Sequence, residues 1–171
     1  MHKLKPMHIL GAVFTLIFGT LLHFTWEWSG QNPVVSVFSA VNESTWEHLK
    51  LLFFPFTVFT VIEYFSYGRQ LPCFFTVKLK AVLLGMASIV TAFYTYTGVL
   101  GDNFLPLDIG TFILGVAAAY RYSYRRLRDR STTCSPYGEL ISAITLLVLA
   151  AAFGVFTFRP PKLGLFLPPV A

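Results

Sequence analysis

Charge is what this sequence has least of. Only 12% of its 171 residues are charged, while 55% are hydrophobic, and that charged share is roughly half of what a soluble domain carries. A chain with so little polar surface does not stay in water as a globule, which leaves the lipid bilayer as its solvent. Cysteine is almost absent too. Cys73 and Cys134 stand far apart and form no CxxC, so neither a disulfide framework nor a cysteine zinc site is implied. There is no HExxH and no nucleophile elbow, which removes the familiar zinc-protease and serine-hydrolase signatures. No internal repeat is present. The first apolar run has a basic start, MHKLKP, but lacks a small-residue cleavage pattern and continues to a Trp-Glu-Trp cluster; it reads as a retained helix and not as a signal peptide.

What the sequence has in abundance is long apolar runs. About 20 apolar residues cross a bilayer as a helix, and five stretches qualify: 8–28, 45–67, 74–98, 105–124 and 138–158. The expectation is an all-α integral membrane protein, a single transmembrane domain over 1–171 built as a bundle of about five helices, multi-pass in the cell membrane. The net charge of +5 raises the question of nucleic acid, and the distribution of the charge answers it. Lys3, Lys5, Arg69, Lys78, Lys80, Arg121, Arg125, Arg126, Arg128 and Arg130 all fall at alternate ends of the runs, leaving only Lys50, Arg159 and Lys162 for the opposite side. By the positive-inside rule the N-terminus is cytoplasmic and the C-terminus outside, with no nucleic-acid partner. RRLRDR is placed to rest on anionic lipid headgroups.

Between the first two runs, VVSVFSAV is too short to span and reads as a re-entrant or interface-lying segment. Pro55 removes one backbone hydrogen bond inside the second span and predicts a kink. Lys78 and Lys80 are expected to snorkel to the inner interface. The tail RPPKLGLFLPPVA, rich in proline, is expected to lie across the outer face.

The acidic residues concentrate at one end. Glu27, Glu43, Glu47, Asp102 and Asp108 all map to the outer side, joined by His23 and His48. His23 and Glu27 are four apart and share a helix face. Glu43 and Glu47 have the same spacing, and two carboxylates so placed repel unless a cation is near; Lys50 is on their stripe. His48 is turned about 100° from Glu47 yet still able to reach a common cavity. Histidine and carboxylate pairs on neighbouring helices are the donors a bundle offers a divalent metal, zinc foremost. The metal candidates are therefore His23, Glu27, Glu43 and His48, with Glu47 and His48 as catalytic candidates and Asn42, Trp46, Lys50, Asp102 and Asp108 as further polar residues. Ordinary roles compete for the same residues. Ser44 to Glu47 fits a capping box and Asn42 an N-cap, Trp26, Trp28 and Trp46 fit an interfacial belt, Asp108 fits a helix start after Pro106, and His23 can pair with Glu27 alone.

NESTWEHLK entering the second span, HFTWEW closing the first, and TYTGVLG with LDIGTFILGV across the third and fourth together resemble an uncharacterised family of small prokaryotic multi-pass membrane proteins, a domain of unknown function. In the tail, PPKLGLFLPP keeps the prolines and Leu165-Phe166 of that family but has Pro168 where its pattern is acidic. The resemblance implies a membrane bundle and brings no activity with it. Three functions remain open: a metal-dependent hydrolase acting on lipid or lipid-linked substrates, a small cation or proton transporter or channel subunit, and a non-enzymatic membrane partner or assembly subunit, alone or as a homo-oligomer.

Overall fold

The structure, a computed structural model, describes residues 3–129 and 132–168; Arg130 of the basic stretch lies outside them. It contains six α-helices and, among the described residues, no strand. They are α1 (Leu4–Trp28), α2 (Pro33–Ser36), α3 (Thr45–Ser66), α4 (Phe74–Leu100), α5 (Leu105–Asp129) and α6 (Pro136–Phe158), with short 3-10 turns at Gly68–Gln70 and Gly164–Phe166. Their starts are written in local chemistry. Ser44 caps α3 by accepting the Glu47 N–H at 3.4 Å, and Ser135 caps α6 by accepting the Gly138 N–H at 3.1 Å, with Pro136 in the first turn. Gly101 closes α4 at φ 82°, a left-handed conformation that a side chain would strain.

Four helices, α1, α3, α4 and α6, are long and apolar enough to cross a membrane. The expected span 105–124 falls on α5, also a helix of 25 residues, which is not among those four: Asp108 at one end and Arg126 and Arg128 at the other leave it less apolar. α3 is the central member, with twelve of its 22 residues buried on all sides, whereas α6 buries only Ser142, Leu146 and Phe153 and is peripheral. The core is aromatic: Phe53, Phe56, Phe59 and Phe153 join Leu49, Leu52, Val82 and Val116.

Close approach of backbones sets the helix positions, since small residues are what bring helices together in lipid. Gly85 of α4 faces Gly115 of α5 so tightly that a Cβ on Gly85 would lie 2.8 Å from the Gly115 carbonyl oxygen. Pro55 sits inside α3 and deprives the Leu51 carbonyl of its helical partner. At that carbonyl α1 comes nearest, where a Cβ on Gly19 would meet the Leu51 oxygen at 2.4 Å.

The segment between α1 and α3 does not span. Asn32 Oδ1 accepts the Val34 N–H at 2.9 Å to start the four-residue α2, and the Ser39 hydroxyl then donates to the Leu22 carbonyl and accepts the Trp26 N–H. The tail folds back so that Phe166 is buried against Trp46 and Phe156.

Two expectations are overturned. Cys73 and Cys134 form a disulfide, which ties the α3–α4 connection to the α5–α6 connection; a sequence separation of 61 residues gave no hint that the loops meet. Beside it Glu139 of α6 accepts the N–H groups of Phe75 and Thr76 at 2.9 and 3.0 Å, capping α4 from another helix where Cys73 supplies no side-chain cap. Lys78 does not snorkel. It is on the buried face of α4 with Val77, Ala81 and Val82, fully buried, and pairs with Glu63 of α3, while Lys80 on the opposite face is exposed.

Candidate functional site

The end of the bundle where α1 finishes and α3 begins brings three donors together. His23 arrives on the last turns of α1, Glu43 from the approach to α3, and His48 from its first turn. One nitrogen of each histidine and one Glu43 oxygen all lie within 4.8 Å of one another. The His48 ring is 5.2 Å from the His23 ring, centroid to centroid, and its Nε2 is 3.4 Å from Glu43 Oε2.

The protons sharpen this picture. His48 Nδ1 is 3.0 Å from the Ser44 carbonyl oxygen, which can only accept, so Nδ1 carries the hydrogen. In a neutral ring that leaves the Nε2 lone pair aimed at a carboxylate, an arrangement that calls for a proton or a cation between them. With His48 protonated, the hydrogen bond from its Nε2–H holds the Glu43 carboxyl below its usual range, against a smaller opposing effect of burial. His23 Nδ1 is buried with no hydrogen-bond partner, an orphan of the kind that usually has an explanation.

Glu43 and His48, though not His23, line a cavity of about 60 Å³. Its polar part is Glu43, Thr45, His48, Asn103, Asp108 and Thr111, and its apolar part is Leu51, Ile89, Phe93 and Phe112. Asp108, in the first turn of α5, accepts a hydrogen bond from the Tyr96 hydroxyl of α4. Thr45 reaches the Tyr94 hydroxyl at 3.4 Å. Asn103 lies in the α4–α5 turn and the two tyrosines on the last turns of α4, and the packing of α4 against α5 places them here.

The other sequence candidates go elsewhere. Glu27 is exposed and outside the trio, although its charge is felt by His23. Asp102 is exposed and accepts the Asn103 N–H in the turn. Asn42 is not the N-cap of α3: its Oδ1 accepts the N–H of Ser44, which is. Trp46 stacks on Phe153 and Phe166. Glu47, the base suggested by sequence, does not line the cavity. A single residue step of about 100° separates it from His48, and it is buried toward α2 and α6. Lys50 donates to Glu47 Oε2 at 2.6 Å and to the carbonyls of Ser36 and Ser39 at 2.9 and 3.2 Å. Glu47 Oε2 also accepts the Val41 N–H at 3.1 Å, and Oε1 accepts the Thr157 hydroxyl at 3.0 Å. The pair ties α2, α3 and α6 together and turns the Glu47 carboxylate away from the cavity. The capping box is thus half-formed, its glutamate reaching past Ser44 to Val41.

A second polar cluster near the opposite end was only partly visible in the sequence. Glu63 accepts from Lys78 and from Tyr67, and His8 Nδ1 is 3.4 Å from Glu63 Oε1. His8 also meets Ser123 at 3.0 Å. His8 and Lys78 interrupt apolar runs, and ionisable residues at such depth are the available signal.

The whole length, residues 1–171, matches a family described as a family of unknown function (DUF6512). The chain belongs to this family. No curated protein and no solved structure matches it. The DUF6512 assignment agrees with the resemblance drawn from NESTWEHLK and HFTWEW, and it brings no substrate, so the chemistry of this DUF6512 chain rests on its own residues.

Proposed function

We propose that this protein is a membrane-embedded, metal-dependent hydrolase whose centre is the His23, Glu43 and His48 trio, with a lipid or lipid-linked molecule as substrate. The observation that carries the proposal is that one trio holds both a His23 whose buried Nδ1 has no hydrogen-bond partner and a His48 whose Nε2 is turned toward Glu43. Two imidazoles and one carboxylate suit zinc, and three protein ligands leave a further position open. Bonds of about 2.1 Å require the donors to draw roughly an ångström closer, which exposed Glu43 and half-buried His23 permit by side-chain rotation. A divalent cation held there supplies Lewis acidity toward a phosphoryl or carbonyl oxygen.

The chain's own residues do the rest. Ser44 orients His48 through the Nδ1–H bond. Asp108, steadied by Tyr96, is the carboxylate on the cavity wall able to take a proton, the role that Glu47 is not free to fill. Asn103 offers a donor to a headgroup, and Leu51, Ile89, Phe93 and Phe112 accept apolar substrate and keep water out. The reading includes five crossings with the N-terminus cytoplasmic: α5 runs back from the short turn after α4 and its arginines join the basic end, which places the cavity at the outer interface where lipid headgroups lie.

Elemental analysis of the purified protein tests this directly. The expected result is about one zinc or other transition metal per chain, lost in His23→Ala and His48→Ala and retained in Asp108→Asn. A wild-type protein that takes up no divalent metal, even after incubation with zinc, removes the proposal. A cation or proton carrier is the second reading, supported by the buried Glu63, Lys78 and His8 cluster; liposome flux that is unchanged by Glu43→Gln and Glu63→Gln would set it aside.

A further inference from the structure

At the end of the bundle opposite the His23, Glu43 and His48 trio, α4 and α5 form an open groove of about 490 Å³ lined by Leu84, Ala118, Arg121, Tyr122, Arg125, Arg126 and one carboxylate, Asp129. Arg121 and Arg125 are one helical turn apart on the same face of α5. Both are exposed, and neither has an ion-pair partner among the described residues. The neighbouring guanidiniums are differently held: Arg126 lies over the Tyr122 ring at 5.6 Å and Arg128 over the Tyr124 ring at 5.9 Å. Lys80 is four residues before Leu84 on the same stripe of α4, one turn further toward the basic end, and is exposed. The charges therefore stand together at one level, with two arginines uncommitted.

Away from that level the groove becomes apolar. Leu84 is 43% exposed, and Leu114, one turn beyond Ala118, is 51% exposed. A ligand that fits has a compact anionic head and long apolar tails lying along the helices. Free phosphate satisfies the first half only. A phosphodiester offers each of the two exposed guanidiniums a hydrogen-bonding match.

We propose that this groove is a binding site for an anionic phospholipid, its phosphate between Arg121 and Arg125 with Lys80 beside it, and its acyl chains along Leu84, Ala118 and Leu114. The site is independent of the metal trio and survives if that reading fails.

Native mass spectrometry of the detergent-purified full chain, titrated with phosphatidylglycerol and separately with phosphatidylcholine, reads the occupancy. The wild type is expected to retain phosphatidylglycerol in preference to phosphatidylcholine. Arg121→Gln with Arg125→Gln should weaken it about 25-fold, roughly fivefold for each arginine at a membrane surface. Arg69→Gln, a cation at the same end but outside the groove, should retain it as the wild type does. Melting without lipid checks that the variants are folded, which their exposed positions favour. Equal retention of the two lipids, equal loss in Arg69→Gln, or displacement of the lipid by millimolar inorganic phosphate would each overturn the proposal.

Discussion

Lys78 and Glu63 give the sharpest test of how this bundle is held together. Both side chains are essentially without solvent exposure, and Glu63 spends its other oxygen on the Tyr67 hydroxyl with His8 nearby. Removing one partner of such a pair leaves a buried charge uncompensated, which costs about 3–5 kcal/mol, while replacing both by apolar groups of similar volume is neutral or stabilising. Lys78→Met keeps the length of the side chain and its packing against Phe56 and Phe74 but strands the carboxylate. At roughly 2–4 °C per kcal/mol for a chain of this size, the melting temperature should fall by about 6–20 °C. Tryptophan fluorescence during thermal unfolding in detergent measures it. In the double variant Lys78→Met with Glu63→Leu, most of that loss should return, giving a large coupling in a double-mutant cycle. The reasoning is refuted if the single substitution melts with the wild type, or if the double variant falls by the sum of the two singles.

Gly19→Ala should cost about 1–3 kcal/mol, because the new methyl meets the Leu51 carbonyl that Pro55 leaves open and α1 must move off α3; the melting temperature reads it, and Gly98→Ala, with open space around it, is the neutral control. Thiol titration of unfolded, unreduced protein should find no free cysteine, and reduction should lower the melting temperature. The 61-residue separation sets an upper bound of about 4 kcal/mol in the chain-entropy picture. Lys50→Met should free the segment around α2, seen as new proteolytic cleavage between residues 31 and 41, while Lys162→Met at the same end should not.

The His23, Glu43 and His48 trio shows why the sequence could be read only part of the way. Hydropathy placed the apolar runs, and the spacing of His23, Glu43 and His48 pointed to one end of the bundle. It could not separate Glu47 from His48. Adjacent residues on a helix face different neighbours, and which neighbour lies where is a matter of how α1, α2 and α6 pack around α3. Lys78 and Lys80 repeat the lesson two residues apart, one inside and one outside.

The sequence alone determined what depends on local energetics. Apolar runs form helices because in lipid every backbone group must be bonded within the segment, serine and asparagine mark their starts, and Pro33, Pro106 and Pro136 stand in or beside their first turns. Only the tertiary structure decided which polar groups meet. The Cys73–Cys134 bridge, the Tyr96–Asp108 contact and the Glu63–Lys78 pair each join groups brought together by helix packing. That packing is set by glycine contacts and aromatic shape across the whole core, which no short stretch of chain contains.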